Sequence, residues 1–142
     1  MKKTKFLIAV ILPAFSLLQA YSLKVNVDNL RNSKGVVQVS LYNKEGSIPD
    51  KDYTKYLKKK TAKINNKKAY VVFNNLPKGV YAVNVLHDEN KNGKIDKGFI
   101  LPKEGIGFSN FKSINIANKP NFKKASFLLN RDSKVDVKVI YF

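Results

Sequence analysis

Asp88, Asn90, Asn92, Lys94 and Asp96 stand at alternate positions around Gly93 in the run from His87 to Asp96. The spacing matches D-x-[DN]-x-[DN]-G, the first half of a calcium-binding loop. Calcium takes roughly six to eight hard oxygen ligands, and alternate side chains on a glycine-permitted turn can aim several at one centre. Asp88, Asn90 and Asn92 would supply side-chain oxygens and Lys94 its backbone carbonyl. Asp96, ninth in the loop, would bind directly or through water. An EF-hand closes such a loop with a bidentate Glu at its twelfth position. This chain has Phe99 there, and no helical pattern flanks the run. Glu104 is the next carboxylate, and nothing in the spacing compels it to return. With Asp88 and Asp96 as the charged ligands, the affinity expected is weak, on the order of 10⁻⁴ to 10⁻³ M. The same residues also suit Asx turns, and Asn92-Gly93 is a favoured turn dipeptide, so a self-capped loop without metal is equally readable. Glu89 and Lys91 alternate with the ligands and are expected to face solvent.

His87 is the only histidine. Beside Asp88 it could serve as a general base, but no Ser stands at a defensible spacing and there is no Cys. One His does not make a zinc site. The expectation is therefore a non-enzyme with no catalytic residues, in which His87 ends a strand and hydrogen-bonds the loop.

The flanking segments alternate with the period of β-strands. Leu23–Val27 and Gly35–Tyr42 read as the first two strands, joined by a turn and paired antiparallel. Val37, Val39 and Leu41 form one face of the second, and Gln38, Ser40 and Tyr42 the other. Ala69–Phe73 and Val80–Leu86 are expected to pair across the Asn74–Gly79 turn, and the latter delivers His87 to the loop. Ser113–Ile116, Ala125–Leu129 and Lys134–Phe142 complete about seven strands. Asn43–Lys68 is a Lys-rich connection. Pro49-Asp50-Lys51-Asp52 looks like a helix start there, with Tyr53, Tyr56, Leu57 and Lys60 on one face. Mostly short turns and no long helix predict an all-β fold, an antiparallel seven-strand β-sandwich of prealbumin or immunoglobulin type. An outer-membrane barrel would need longer lipid-facing strands and no such connection.

Lys2, Lys3 and Lys5 precede an apolar run from Phe6 to Leu18, the layout of a secretory signal peptide. The run is shorter than the roughly 20 residues of a spanning helix. Residues 1–22 are therefore expected to be removed, with cleavage after Ala20 or Ser22, leaving one domain over residues 23–142. The destination is the periplasm or the medium, and no segment is expected to span a membrane after cleavage. The absence of Cys excludes a disulfide framework and an acylated N-terminal Cys. The 27 Lys and Arg against 10 Asp and Glu give +17, and setting aside Lys2, Lys3 and Lys5 leaves +14. For an exported chain that balance points away from nucleic acid and toward an anionic envelope component, lipid or polysaccharide. Lys58-Lys59-Lys60 with Tyr53 and Tyr56 is the segment that could carry such contact.

Three stretches together resemble a known family. Leu76-Pro77-Lys78-Gly79-Val80-Tyr81-Ala82-Val83, the run His87–Asp96, and Pro102-Lys103-Glu104-Gly105 with Gly107-Phe108-Ser109-Asn110 are similar to a bacterial exported family, domain of unknown function 2141. The resemblance implies export and a β-rich fold, and brings no catalytic residues. The family pattern has a Gly shortly before the Pro of Pro-x-Glu-Gly, where this chain has Ile100-Leu101. The shorter L-P-x-G-x-Y pattern is similar to transthyretin-like and carboxypeptidase-regulatory sandwiches, and implies a turn between two core strands. The function expected is that of an exported, non-enzymatic β-sandwich, a binding or structural module of the cell envelope with a weak calcium-binding Asp/Asn loop. A basic module binding anionic lipid or polysaccharide is the alternative.

Overall fold

A computed structural model describes residues 11, 18–98 and 100–142. The expected signal peptide falls largely outside these described residues. The elements in chain order are β1 (Ala20–Asp28), β2 (Val36–Tyr42), β3 (Lys58–Lys63), β4 (Ala69–Pro77), β5 (Gly79–Asp88), β6 (Ile106–Phe108), α1 (Phe122–Ala125), β7 (Phe127–Leu129) and β8 (Ser133–Lys138). One sheet has the order β4-β1-β8, and the other the order β3-β2-β5-β6 with β7 also on β5. The two sheets do not close into a barrel. The expected all-β sandwich is what the chain forms.

Alternation builds the central core. Leu23, Val25 and Val27 of β1 and Val37, Val39 and Leu41 of β2 point between the sheets, joined by Phe73, Val83, Val85 and Val137. Burying a Val or Leu side chain contributes roughly 1.5–3 kcal/mol, so these two periodic strands fix which faces meet.

Pairing departs from the expectation in three places. β1 and β2 are not partners: β1 lies antiparallel to β4 and parallel to β8, while β2 lies antiparallel to β3 and β5. β4 and β5 are not a hairpin either. The chain changes sheets at Lys78, and the Tyr81 hydroxyl donates to the Pro77 carbonyl at 2.8 Å across the corner. Alternation gives each strand's buried face and carries no signal for its neighbour, so a short connection does not by itself make a pair. Finally, Ser113–Ile116 is not a strand, whereas β3 and the short β6 are.

No helix forms at Pro49. Tyr53 has φ 51°, outside helical space, and the buried Asp50 carboxylate accepts the backbone N–H of Thr54 (Oδ1, 3.1 Å) and Lys55 (Oδ2, 2.9 Å). Those donors are ones a helix would send to its own carbonyls, so the Asp cap replaces the helix. Residues 43–57 instead fold over the outer face of the β2–β5 sheet. A second apolar cluster forms there from Tyr42, Ile48, Ala82, Phe108, Phe111, Phe122 and Ala125. Both faces of β2 and β5 are consequently covered, and the outer face carries Gln38, Ser40, Asn84 and Asp88 into the interior. Among the described residues no helix is long and apolar enough to cross a membrane.

The Asp88–Glu104 loop as a candidate functional site

β5 ends at Asp88 with its last eight residues, Tyr81 to Asp88, buried, so the loop starts from a rigid strand. Asp88 is itself 2% exposed. Its Oδ1 accepts from Asn92 N (3.1 Å) and its Oδ2 from Gly93 N (2.8 Å), folding the loop back on its first residue. Gly93 sits at φ 72°, the left-handed turn that its position requires. Asn90 Oδ1 accepts a second bond from Asn92 N, and Asn92 Oδ1 accepts from Lys94 N at 2.9 Å. Asp96 closes the ring: one carboxylate oxygen accepts from Asn90 Nδ2 and the other from Asn92 Nδ2, the latter at 2.8 Å. Asp88, Asn90, Asn92, Lys94 and Asp96 are thus gathered into one turn.

Glu104, 3% exposed, returns to the loop: Oε1 accepts from Glu89 N at 2.9 Å and Oε2 from Asp96 N at 3.1 Å. Burial pushes its carboxyl above the usual range, and the charges of Asp96 and Asp88 push the same way against the two backbone donors. Four of the ten acidic residues fall between 88 and 104, where Lys91, Lys94, Lys97 and Lys103 balance them, so the span is neutral on a strongly basic chain. Among the described residues no three His, Asp or Glu side chains form a ready metal-ligand group. The ring is held by amide-to-carboxylate bonds. A half-turn of the Asn90 and Asn92 amides would bring their oxygens toward Asp96 and would set their nitrogens against the Asn92 and Lys94 N–H groups.

Glu89 does not face solvent as expected. It forms an ion pair with Arg31, through Arg31 Nε at 3.2 Å and Nη2, and accepts from Asn32 Nδ2 at 2.5 Å. The Arg31 hydrogen bond, aided by Asn32 and opposed by burial, holds its carboxyl at about 2. Lys91 is exposed. Sequence gave no signal for Arg31, because it lies 58 residues away in the β1–β2 turn.

His87 is fully buried. Its Nε2 lies 2.9 Å from the Lys34 carbonyl, which can only accept, so Nε2 carries the proton. Nδ1 then accepts from the Tyr141 hydroxyl at 2.7 Å, and that hydroxyl accepts from Arg31 N at 3.0 Å. Both ring nitrogens are engaged in tying the β1–β2 turn and the C-terminal segment to the end of β5. The bond of His87 is to those segments, and not through its ring to the Asp/Asn loop.

The Lys58–Lys60 segment is the outer strand β3, and its lysines do not share a face with both tyrosines. Tyr53 is 7% exposed and its hydroxyl donates to Asn84 Oδ1 at 3.4 Å. Lys59 Nζ stands 5.0 Å from the Tyr56 ring, and Lys60 Nζ reaches the Val72 carbonyl. Lysines on an edge strand oppose pairing with another chain.

A family described as "Uncharacterized protein conserved in bacteria (DUF2141)" matches residues 25–138. No curated protein and no solved structure matches the chain.

Proposed function

The chain belongs to the uncharacterized bacterial family DUF2141, and from the loop geometry we propose that it is an exported, non-enzymatic binding module of the cell envelope whose 88–104 loop is locked by calcium. The observation that carries the calcium reading is the return of Glu104 to the loop. It holds a buried carboxylate on the Glu89 and Asp96 backbone N–H groups, beside the turn that carries Asp88 and Asp96, where desolvation and like charges disfavour its ionised form. A divalent cation relieves that cost. The saturated nitrogens of His87 support a non-catalytic reading.

Export rests on the basic and apolar N-terminus. Ser22 N donates to Asp132 Oδ1 at 2.8 Å and Ser22 Oγ to Asn74 Oδ1 at 2.9 Å, which favours cleavage after Ala20 over cleavage after Ser22. An exported product whose intact mass starts at Leu23 would count against that choice.

Thermal melts in calcium and in chelator test the loop. At a free calcium concentration about 10 to 100 times a weak dissociation constant, mass action adds roughly 1.4 to 2.7 kcal/mol, or on the order of 5 to 10 °C. Asp88→Ala and Asp96→Ala should abolish the shift. Identical melts with and without calcium for the parent chain would remove the cation from the account.

A further inference from the structure

The outer face of the β2–β5 sheet holds a cleft of about 410 Å³ between the 43–57 segment, the end of the calcium-type loop and the 106–120 segment. That volume lies in the range of small-molecule sites, roughly 300–1,000 Å³. Its walls are mainly apolar, including Ile95, Leu101, Ile106, Phe108 and Ile114. Ile100, at the same cleft, is 84% exposed, and Leu101 is 51% exposed, so the apolar surface continues outward past the mouth.

One end is polar. Asn84 lines it, 3% exposed, with its Oδ1 taken by the Tyr53 hydroxyl, which leaves the amide nitrogen as the group to offer a ligand. Ser40 is the cross-strand partner of Asn84 on the same sheet face, and Gln38 follows two residues along. The Ser40 Oγ is near enough to influence the Tyr42 phenol, yet neither it nor Gln38 Nε2 has a hydrogen-bond partner among the described residues. Both are buried beneath the covering segments and neither lines the cleft, so Asn84 is the buried side chain that meets it. Asp50 borders the same end, but its oxygens are spent on the Tyr42 hydroxyl, Thr54 N and Lys55 N. Lys51 and Lys97 line the cleft and are exposed, and they supply its positive charge.

We propose that this cleft binds a medium-chain carboxylate, a fatty-acid-like amphiphile whose head accepts a hydrogen bond from the Asn84 amide under the field of Lys51 and Lys97. Its chain runs along Ile106, Ile95 and Leu101 toward the exposed Ile100. The inference goes beyond the cation reading and does not depend on it.

The test is calorimetric titration of the mature chain with dodecanoate below its micelle concentration, in calcium and in chelator. Saturable binding to one site is expected, with dodecyltrimethylammonium at least about tenfold weaker because its head carries the wrong charge. The exposed pair Lys51→Glu and Lys97→Glu should weaken dodecanoate by about tenfold or more without loss of fold, and Asn84→Leu should do the same if it folds. Equal affinity for the cationic amphiphile overturns the proposal. So does an unchanged affinity in the double Lys variant. Binding to anionic phosphatidylglycerol vesicles without binding of monomeric dodecanoate also overturns it, and makes the apolar rim a membrane contact.

Discussion

Glu104 and Asp96 are eight residues apart, and the Glu104 carboxylate accepts the Asp96 backbone N–H at 3.1 Å while its other oxygen accepts from Glu89 N. One buried side chain thereby ties both ends of the Asp/Asn loop.

Replacing Glu104 by Gln leaves one of the two backbone donors facing an amide nitrogen. The change should cost about 1–3 kcal/mol in chelator and abolish any calcium-dependent gain, as read by denaturant titration in both buffers. The parent chain carries a sign that identifies the residue. Its folded carboxyl is raised, so the folded state binds the proton more tightly than the unfolded state. In chelator this contribution should grow more favourable as pH falls from neutral through the raised value. Calcium should erase that rise.

Glu89 titrates with the opposite sign. Its carboxyl falls from an ordinary 4.5 to about 2 beside Arg31. The stability it contributes is fully present above about 4.5 and is lost as pH falls toward 2. Arg31 is 46% exposed, so solvent screening reduces the effect to about 1–2 kcal/mol. Glu89→Gln should flatten the melting temperature across this window, and a slope equal to the parent's would contradict the assignment.

Tyr141→Phe removes a hydroxyl that donates to His87 Nδ1 and accepts from Arg31 N. Two polar groups lose their partner at once, one of them on a fully buried ring, for an expected loss of about 1–3 kcal/mol. Chemical denaturation measures it. No change would mean that the hydroxyl adds nothing to the fold.

Gly35→Ala should be among the most damaging single changes. Gly35 has φ 71°, and a Cβ there would stand 2.0 Å from the Asp88 carbonyl oxygen and 2.6 Å from Glu89 Cα. Backbone must move on both sides, so a loss above about 3 kcal/mol is expected, visible as a large drop in melting temperature. A crystal structure of the variant with an unshifted Asp88 would refute the clash.

Alternation alone settled much of this molecule. Val37-Gln38-Val39-Ser40-Leu41-Tyr42 divides into two faces by a period of two, and the strands of the core follow from the same rule. The spacing Asp88, Asn90, Asn92, Gly93, Asp96 was enough to place a compact oxygen-rich turn, since Asx bonding and a left-handed glycine are local chemistry. What lay beyond reach was which strand sits beside which, because β1–β8 and β2–β5 pairing depends on how two whole faces pack and leaves no mark on either strand. Tertiary structure also decided that Glu104 returns, that Arg31 takes Glu89, and that Tyr53 turns inward under an Asp50 cap. It placed Gln38, Ser40 and Asn84, polar residues of an outward face by pattern, beneath two covering segments. Sequence reports the neighbours of a side chain along the chain, and burial is set by those that arrive from elsewhere.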